Sequence, residues 1–373
     1  MSRAPRHIVH LLYRFAAGGL ENVIVQLVNG LPRENFRHTV VALTEIDPAF
    51  AARIERDDVE FVSLHKPPGQ PFALYPKMYR LLRRLRPDVL HTCNIAALEF
   101  MPVAWLARVP LRIHAEHGWD VADPDGSNAR YRQLRRGYAR CVHRVVAVSA
   151  QIRDYWRDAV GFPASRLHLI ANGVDCARFR PREAADPVPE GWPFRRGEHY
   201  VIGTVGRLEP IKNQRLLVEA FIRLAARPGN ADLRLAIVGA GPLRDALVAQ
   251  MAVAGLSDRL WLLGSRADIP EILRAFDCFV LPSLAEGTSC TLQEAMATAL
   301  PIVATDVGGN ADLLGHGDFG CLVPTDAVEA LAAAILACRE SHASKASAAR
   351  AAAISHHSQA AMLDGYMRLM SGV

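Results

Sequence analysis

Short apolar runs and longer amphipathic stretches alternate along most of this 373-residue chain. The apolar runs predict buried strands, and apolar residues that repeat every three or four positions between them predict helices. Such alternation favours the α/β class, with doubly wound parallel sheets covered by helices on both faces. The predicted strands are 7–13, 39–43, 59–64, 88–91, 113–116, 145–148, 167–170, 201–205, 235–238, 260–263, 278–281, 302–304 and 320–323.

The length of the chain suits two domains of about 150 to 200 residues each. Residues 179–199 are rich in proline, glycine and charge, which is typical of a linker. We therefore expect a first domain at 1–178, a second domain at 200–354 and a terminal helix at 355–373. The main predicted helices are 21–31, 76–85, 95–107, 128–142, 149–160, 214–225, 268–275, 327–338, 355–370 and one that starts near residue 289.

The composition is that of a globular protein, with 50% hydrophobic and 22% charged residues. The longest membrane-like run, 96–109, is interrupted by Glu99 and Arg108. The N-terminal apolar run is too short and too basic for a signal peptide, so we expect a cytoplasmic protein. The seven cysteines are scattered and no histidine or cysteine cluster has metal-ligand spacing, so we assign no metal site.

The net charge is +5, and two stretches, 77–86 and 130–144, are especially basic. A solvated helix face is the usual explanation of such a run. In the second stretch, apolar residues recur at helical spacing between the arginines, so peripheral contact with an anionic membrane surface is the alternative. No nucleic-acid recognition motif accompanies these stretches, so we expect no nucleic-acid partner.

The stretch 279–310 combines a strand, a loop, a helix and a second strand. The first turn of a helix has N–H groups without intrahelical partners, which bind anions together with the helix dipole. A phosphate is therefore expected at Thr288 and Ser289. Glu286 in the loop and Glu294 in the helix lie on either side of this point. Taken singly, Glu294 would also fit a capping box that begins at residue 291, and Glu286 a solvated loop acid.

Two cations, Arg207 and Lys212, follow the predicted strand 201–205. Cations close after a strand end suit a diphosphate, because they offset its negative charge. Only four of the 43 lysine and arginine residues are lysines, so Lys212 indicates that a compact ammonium is needed there. The structural alternative is a surface ion pair with Glu209.

Gly18 and Gly19 lie between the first strand and the first helix, where they permit positive φ or close approach of the backbone to a ligand. A plain turn explains them equally. His117 follows the strand 113–116, at the end of a parallel sheet where ligands bind. A single histidine is more often structural than catalytic, so neither feature identifies a site unaided.

Several of these segments resemble one enzyme family. Glu286 and Glu294 form E-x7-E, and EGTSCTLQEAMATALPIVATDVGGN closely resembles the donor-site signature of the retaining GT-B glycosyltransferases called family 4. GRLEPIKN resembles the family's phosphate-binding segment, AEHG its histidine position, and NGVD, VGAGP and the Gly18-Gly19 loop also have counterparts. The resemblance implies two Rossmann-like domains that face a central cleft, and a C-terminal helix, 355–373, that crosses back to the first domain.

The resemblance also implies a reaction. A sugar would move from a nucleotide-sugar donor, linked to UDP or GDP, to a saccharide or lipid-linked acceptor with retention of configuration and without a metal or cofactor. Glu294 would bind the ribose and Glu286 the sugar hydroxyls, and the loop at Gly264 would contact the base. The implied catalytic residues are His117, Glu286, Arg207 and Lys212, and the implied donor-binding residues are Gly18, Gly19, Arg207, Lys212, Gly264, Glu286, Gly287, Thr288, Ser289 and Glu294.

Other functions are compatible with the same fold. An NAD-dependent oxidoreductase would need G-x-G-x-x-G after a strand, and residues 13–19 do not supply it. A GT-B sugar-nucleotide epimerase would use the donor without an acceptor, and a sugar-binding protein would bind without turnover. Exopolysaccharide or cell-envelope glycan synthesis at the inner face of the membrane is the expected setting. The chain departs from the family at Ile354, Ser355 and His356, where aromatic residues are usual, which concerns domain docking rather than chemistry.

Overall fold

The computed structural model describes residues 4–120, 123, 126–262, 264–341 and 343–371. The chain divides into two compact units, one formed by Met1–Gly173 with Gln359–Val373, the other by Val174–Ser358. The first unit thus ends before residue 178, and the segment 179–199, which we expected as a linker, lies within the second unit. The two ends of the chain build one unit, and its middle builds the other.

The described part of the first unit is built on a parallel sheet of seven strands. Almost every residue of the inner strands is buried, as expected for a sheet covered on both faces, whereas the two edge strands are more exposed. The strands are β1 (Arg6–Leu12), β2 (Phe36–Ala42), β3 (Glu60–Ser63), β4 (Val89–Cys93), β5 (Leu111–Glu116), β6 (Arg144–Ala147) and β7 (Leu167–Leu169). Their order across the sheet is β3-β2-β1-β4-β5-β6-β7.

Seven helices of this unit precede the second unit in the described chain: α1 (Gly19–Gly30), α2 (Pro48–Ala51), α3 (Tyr75–Leu85), α4 (Asn94–Leu98), α5 (Met101–Leu106), α6 (Ala129–Ala139) and α7 (Ala150–Asp154). The prediction of one helix over 95–107 is wrong, because α4 and α5 are separate. Pro102 lies in the first turn of α5, a position that tolerates its missing N–H. The predicted helix 149–160 continues from α7 as a π-helical turn, Tyr155–Val160.

The described second unit has a parallel sheet of six strands: β8 (Tyr200–Val205), β9 (Leu233–Val238), β10 (Leu260–Leu262), β11 (Cys278–Leu281), β12 (Ile302–Thr305) and β13 (Cys321–Val323). The order is β10-β9-β8-β11-β12-β13. The helices are α8 (Gln214–Ala225), α9 (Arg244–Val253), α10 (Ile269–Ala275), α11 (Cys290–Ala297), α12 (Asn310–Leu313), α13 (Val328–Ser341) and α14 (Ala343–His356). The predicted strand 260–263 ends in a residue that lies outside the described chain.

The terminal helix is shorter than predicted. Ser355 belongs to α14 of the second unit, and a separate helix, α15 (Gln359–Ser371), belongs to the first. Met362, Tyr366, Leu369 and Met370 of α15 are buried in the same apolar cluster as residues of α1 and β1. Full burial of such side chains contributes about 1.5 to 3 kcal/mol each. We conclude that α15 is an integral part of the first unit's core.

Both sheets reverse their strand order at one place. In the first unit this happens between β1 and β4, and in the second between β8 and β11. Loops that leave the carboxyl ends of such strand pairs turn to opposite faces and leave a crevice, where ligands of doubly wound sheets bind. The fold therefore places the candidate sites beyond β1 and β4 in one unit and beyond β8 and β11 in the other.

Candidate functional site

Lys212 and Glu286 are brought together beyond β8 and β11. The Lys212 Nζ donates a hydrogen bond to the Glu286 Oε1 at 2.6 Å, and the Ser283 Oγ donates to the same oxygen at 2.6 Å. The side chains of Lys212 and Glu286 are only 22% and 8% exposed. A carboxylate held by an ammonium and a hydroxyl in a partly desolvated place has a fixed orientation, because these charge-assisted bonds are strong.

The second predicted cation has a different environment. The Arg207 Nη1 is 2.8 Å from the Glu209 Oε1, and the Arg207 side chain is largely exposed. The surface ion pair that we considered for Lys212 is therefore made by Arg207 instead. The two cations that follow β8 differ in burial and partners, so one is fixed in the crevice and the other is exposed to solvent.

The backbone around Glu286 is supported by the loop that follows β12. Gly308 has φ of 54°, and a Cβ atom there would lie 1.7 Å from the carbonyl oxygen of Glu286. The Gly309 N–H donates to the Gly287 carbonyl at 3.0 Å. The Thr305 hydroxyl donates to the Ser283 carbonyl at 2.6 Å. Gly308 is therefore needed for close contact between two backbone segments, one of which carries Glu286.

Helix α11 begins at the predicted anion-binding position. Ser289 is its N-cap, and its Oγ accepts a hydrogen bond from the Leu292 N–H at 3.3 Å. Thr288 and Ser289 are both buried. Because the cap is Ser289, Glu294 lies beyond the third helical position, and the capping box considered for Thr291 and Glu294 is excluded. Glu294 is half-buried.

The glycine turn after β9 packs against the segment that carries Arg207. Gly241 has φ of 156°, and a Cβ atom there would lie 2.4 Å from the Leu208 carbonyl oxygen. Gly264 follows β10 with φ of 82°, and its carbonyl accepts from the Gly239 N–H at 2.9 Å. Gly264 therefore lies beside the loops that follow β8 and β9.

In the first unit, Gly18 and Gly19 form the start of α1. Gly18 is the N-cap with extended backbone at φ of −174°, and its carbonyl accepts from the Asn22 N–H at 3.0 Å. Neither glycine uses positive φ, which was one reason to expect glycine there. A Cβ atom on Gly18 would meet the Glu21 carboxylate at 2.1 Å. Of the predicted glycine site, the structure therefore retains the start of α1 beyond β1, where the N-cap residue Gly18 makes no side-chain hydrogen bond.

His117 is fixed at the end of β5. Its backbone N–H donates to the Asn94 Oδ1 at 2.8 Å, and Asn94 starts α4 with φ of 60°. Burial lowers the pKa of His117 to about 4, against the opposing effects of the Asn172 side chain and the Glu116 charge. Within the described chain, neither ring nitrogen has a hydrogen-bond partner of normal geometry. The ring is therefore a neutral imidazole at neutral pH.

A row of buried histidines crosses the same sheet. His10 is hydrogen-bonded to His91 and to His38, each at 3.0 Å. Burial lowers the pKa of all three rings, that of His38 to about 3. Because the three rings stay neutral, each hydrogen bond joins a donor nitrogen of one ring to an acceptor nitrogen of the next.

The basic stretch 130–144 differs from its prediction. Val142 is buried and Tyr138 packs against the core of its own unit, whereas Tyr131 and Leu134 are partly exposed. Arg135 is also completely buried. The exposed apolar surface nearby is on α5, where Trp105 and Leu106 are 59% and 62% exposed. Helix α5 packs against both α3 and α6, which carry exposed arginines.

Four supporting residues were missed by the sequence analysis: Asn94, Arg135, Asn172 and Ser283. Asn94 directly follows β4, and Ser283 lies two residues beyond the end of β11. A polar residue at the carboxyl end of a parallel strand is the sequence signal by which both could have been predicted. Arg135 gave no signal, because several other residues of α6 are also arginines.

Among the described residues, no group of three or more His, Cys, Asp or Glu side chains is arranged to hold a metal ion. None of the helices in that part of the chain meets the length and hydropathy required of a membrane span.

Two parallel sheets with this strand order, each with its own site beyond the reversal, define the GT-B class of two-domain α/β proteins. The crystal structure of Anabaena Alr3699/HepE in complex with UDP has this fold, with a TM-score of 0.79 and 24% identity over 98% of this chain and 100% of that one.

The family models agree with this class. The model described as Glycosyltransferase Family 4 matches residues 17–178, and the one described as Glycosyl transferases group 1 matches residues 199–341. The LpsB lipopolysaccharide core mannosyltransferase of Rhizobium meliloti is 30% identical over 71% of this chain and 74% of its own length. An Escherichia coli UDP-Gal:alpha-D-GlcNAc-diphosphoundecaprenol alpha-1,3-galactosyltransferase is 28% identical over 88% and 87%. The chain belongs to the group 1 glycosyltransferases.

Proposed function

We propose that this glycosyltransferase moves a sugar, with retention of configuration, from a nucleotide-sugar donor to a saccharide or lipid-linked acceptor. The observation that carries the proposal is the contact of Lys212 and Ser283 with one oxygen of Glu286 beyond β8 and β11. In this role Glu286 accepts hydrogen bonds from sugar hydroxyls. Lys212 lies between that carboxylate and the negative charge that develops on the leaving diphosphate.

The charge of the leaving group is neutralised by the protein itself in this proposal. Arg207, Lys212 and the N–H groups at the start of α11 supply positive charge, so no metal ion and no cofactor is required. Glu294 binds the ribose, and Gly287 and Gly264 allow the backbone to approach the donor. His117 and the Gly18-Gly19 helix start contribute from the first unit. A neutral His117 suits a hydrogen bond to a sugar hydroxyl, since it keeps its acceptor nitrogen.

The donor is proposed to be linked to UDP or GDP. Among the relatives, the E. coli enzyme is named for UDP-Gal, a Mycobacterium tuberculosis enzyme is named as GDP-mannose-dependent, and the Anabaena structure contains UDP. The E. coli enzyme acts on a diphosphoundecaprenol-linked sugar and the R. meliloti enzyme in lipopolysaccharide core synthesis. These names support a role in exopolysaccharide or cell-envelope glycan synthesis.

A lipid-linked acceptor would bring the enzyme to the cytoplasmic face of the membrane. The exposed Trp105 and Leu106 on α5, next to the arginines of α3 and α6, form a surface suited to anionic lipid. Val142 and Tyr138 of the stretch 130–144, on which the earlier expectation partly rested, pack against the protein core instead. Vesicles containing phosphatidylglycerol should bind the protein, and Trp105→Ser with Leu106→Ser should abolish that binding if this surface is the contact.

A calorimetric panel of UDP, GDP, ADP and their sugar conjugates, with and without EDTA, tests the donor site. We expect micromolar binding of one nucleotide in EDTA and loss of that binding in Glu294→Ala. The anomeric configuration of the product, read by NMR, tests retention. Conversion of the donor sugar without an acceptor would indicate the epimerase instead, and binding of NAD with no nucleotide diphosphate would indicate the oxidoreductase.

A further inference from the structure

Arg135 is buried inside the first unit, unlike the exposed Arg136 that follows it in α6. Its guanidinium Nε donates to the Glu116 Oε2 at 2.9 Å, and its Nη1 donates to the Asp123 Oδ2 at 3.0 Å. Glu116 and Asp123 are themselves buried. The Tyr155 ring lies 5.4 Å from the guanidinium carbon. A charge completely removed from water persists only when paired in this way.

The two carboxylates come from either side of His117 in the chain. Glu116 is the last residue of β5 and directly precedes His117, whereas Asp123 belongs to the segment that leads from His117 to α6. Asp123 also accepts from the Asn128 N–H at 2.9 Å, and Asn128 is the N-cap of α6. One arginine therefore connects the strand before His117 to the segment after it.

The aromatic residues beside this arginine are also closely packed. The Trp119 and Tyr155 rings make an edge contact with centroids 5.0 Å apart. A Cβ atom on Gly126, which has φ of 75°, would lie 2.5 Å from the Trp119 ring. Trp119 is thus packed against Tyr155, and Tyr155 stacks on the Arg135 guanidinium. A change at Arg135 would therefore alter the packing of Trp119.

The charge of Glu116 is permanent. Burial alone would raise the pKa of this carboxyl, but the His114 ring 3.7 Å away and the Arg135 guanidinium outweigh that effect and lower the pKa to about 2. Glu116 therefore needs a partner at every physiological pH, and the partner at hydrogen-bond distance is Arg135.

We propose that Arg135 is a positioning residue for sugar transfer, which holds His117, Trp119 and Asp123 in place through its pairs with Glu116 and Asp123 and its contact with Tyr155. This inference rests on the proposed function, because it assigns Arg135 no contact with donor or acceptor. Most of the proposed donor-binding residues, among them Glu286, Glu294 and Lys212, are in the other unit. Loss of the Arg135 bridge should therefore lower kcat and leave donor affinity unchanged.

The main test uses Asp123→Asn, which removes one charge from the bridge and keeps the Arg135–Glu116 pair. We expect kcat to fall at least tenfold, the KM for the donor to stay within twofold, and amide hydrogen exchange to accelerate at residues 117–120 and 126–128. The matched control is Asp158→Asn, which breaks an exposed pair with Arg157 in the same unit and should change neither quantity. Arg135→Lys keeps a charge but loses the fork and should recover only part of the activity lost in Arg135→Met.

Faster exchange in Asp123→Asn with wild-type kcat would overturn the positioning role while the proposed function stands. An equal loss of kcat in Asp158→Asn would also overturn it, because the effect would then be general. A wild-type protein that binds nucleotides but transfers no sugar overturns the proposed function and this inference together. If Arg135→Met fails to fold, the Asp123→Asn comparison still decides the question.

Discussion

The Nζ of Lys212 and the Oε1 of Glu286, 74 residues apart in sequence, are 2.6 Å apart in the structure. The two residues should therefore act together rather than independently. We expect Lys212→Ala to reduce kcat/KM by an amount equivalent to about 2 to 4 kcal/mol, the usual effect of removing one preorganised charge partner. Glu286→Ala should reduce it similarly, and the double variant should lose much less than the sum of both. Lys66→Ala, which removes a lysine from the other unit, is the control.

Additive losses in that double-mutant cycle would show that the ion pair has no part in catalysis.

Arg207 gives a second comparison, because it is exposed and paired with Glu209. Its replacement by alanine should also lower kcat/KM if it contacts the diphosphate. Unchanged turnover in both Arg207→Ala and Lys212→Ala would remove the two cations from the site.

Glu294 is predicted to bind the ribose of the donor. Since such a contact is present in both the ground state and the transition state, Glu294→Ala should raise the donor KM at least tenfold with little change in kcat. Glu219→Ala, an exposed glutamate on α8 in the same unit, provides the matched control. Donor affinity measured by calorimetry should follow the KM, and an unaltered affinity would show that the ribose role is wrong.

Gly308 is predicted to be required for the position of Glu286. In Gly308→Ala, the new Cβ would collide with the Glu286 carbonyl oxygen, so the loop must move and donor binding should fall. Gly229→Ala is the matched control, because φ there is 86° and no heavy atom lies within 4 Å of the added Cβ. The control should lose only about 1 to 2 kcal/mol of stability from the left-handed backbone. Equal donor binding in both variants would contradict the argument.

The stability of the first unit should decline with acid. Burial keeps the pKa of His10, His38 and His91 below the ordinary value, so the unfolded chain binds more protons than the folded one below about pH 6.5. The free energy of unfolding should therefore fall as pH decreases, by up to about 1.4 kcal/mol per pH unit for each histidine. For His38 the loss extends to about pH 3.

Urea unfolding between pH 7 and pH 4 checks this prediction. His38→Gln should reduce the slope of stability against pH, because one titrating ring has been removed. His316→Gln, which removes an exposed histidine from the second unit, is the control. The prediction fails if His38→Gln has the same slope as the wild type.

Periodicity was sufficient to predict both sheets. Each predicted strand has a counterpart in the described chain, because a strand buried on both faces leaves a clear apolar run. Helix α14 was not predicted, since half of its residues are alanine and it has no clear apolar stripe to detect. The break between α4 and α5 lies just before Pro102, so Pro102 is the local signal that the prediction of one helix overlooked.

Spacing within one segment could be read from the sequence, whereas contacts between candidate residues of different segments could not. Glu286, Ser289 and Glu294 lie close together in sequence, so spacing was informative. The partners of Arg135 and of His10 are 12 to 81 residues away, and a single sequence does not tell which strands become neighbours. Arg135 resembles the nearby exposed arginines of α6 in its local sequence, and its burial depends on distant partners, Glu116, Asp123 and Tyr155.

Helix α15 completes the core of a unit whose other residues precede position 174. During synthesis, residues 359–371 leave the ribosome only after the whole of Val174–Ser358. The second unit is continuous and can fold while the chain is still being made, whereas the first lacks Tyr366 and its neighbours until later. The usual N-to-C order of domain folding is therefore reversed for the final packing step, and the unit that is synthesised first is the last to be finished.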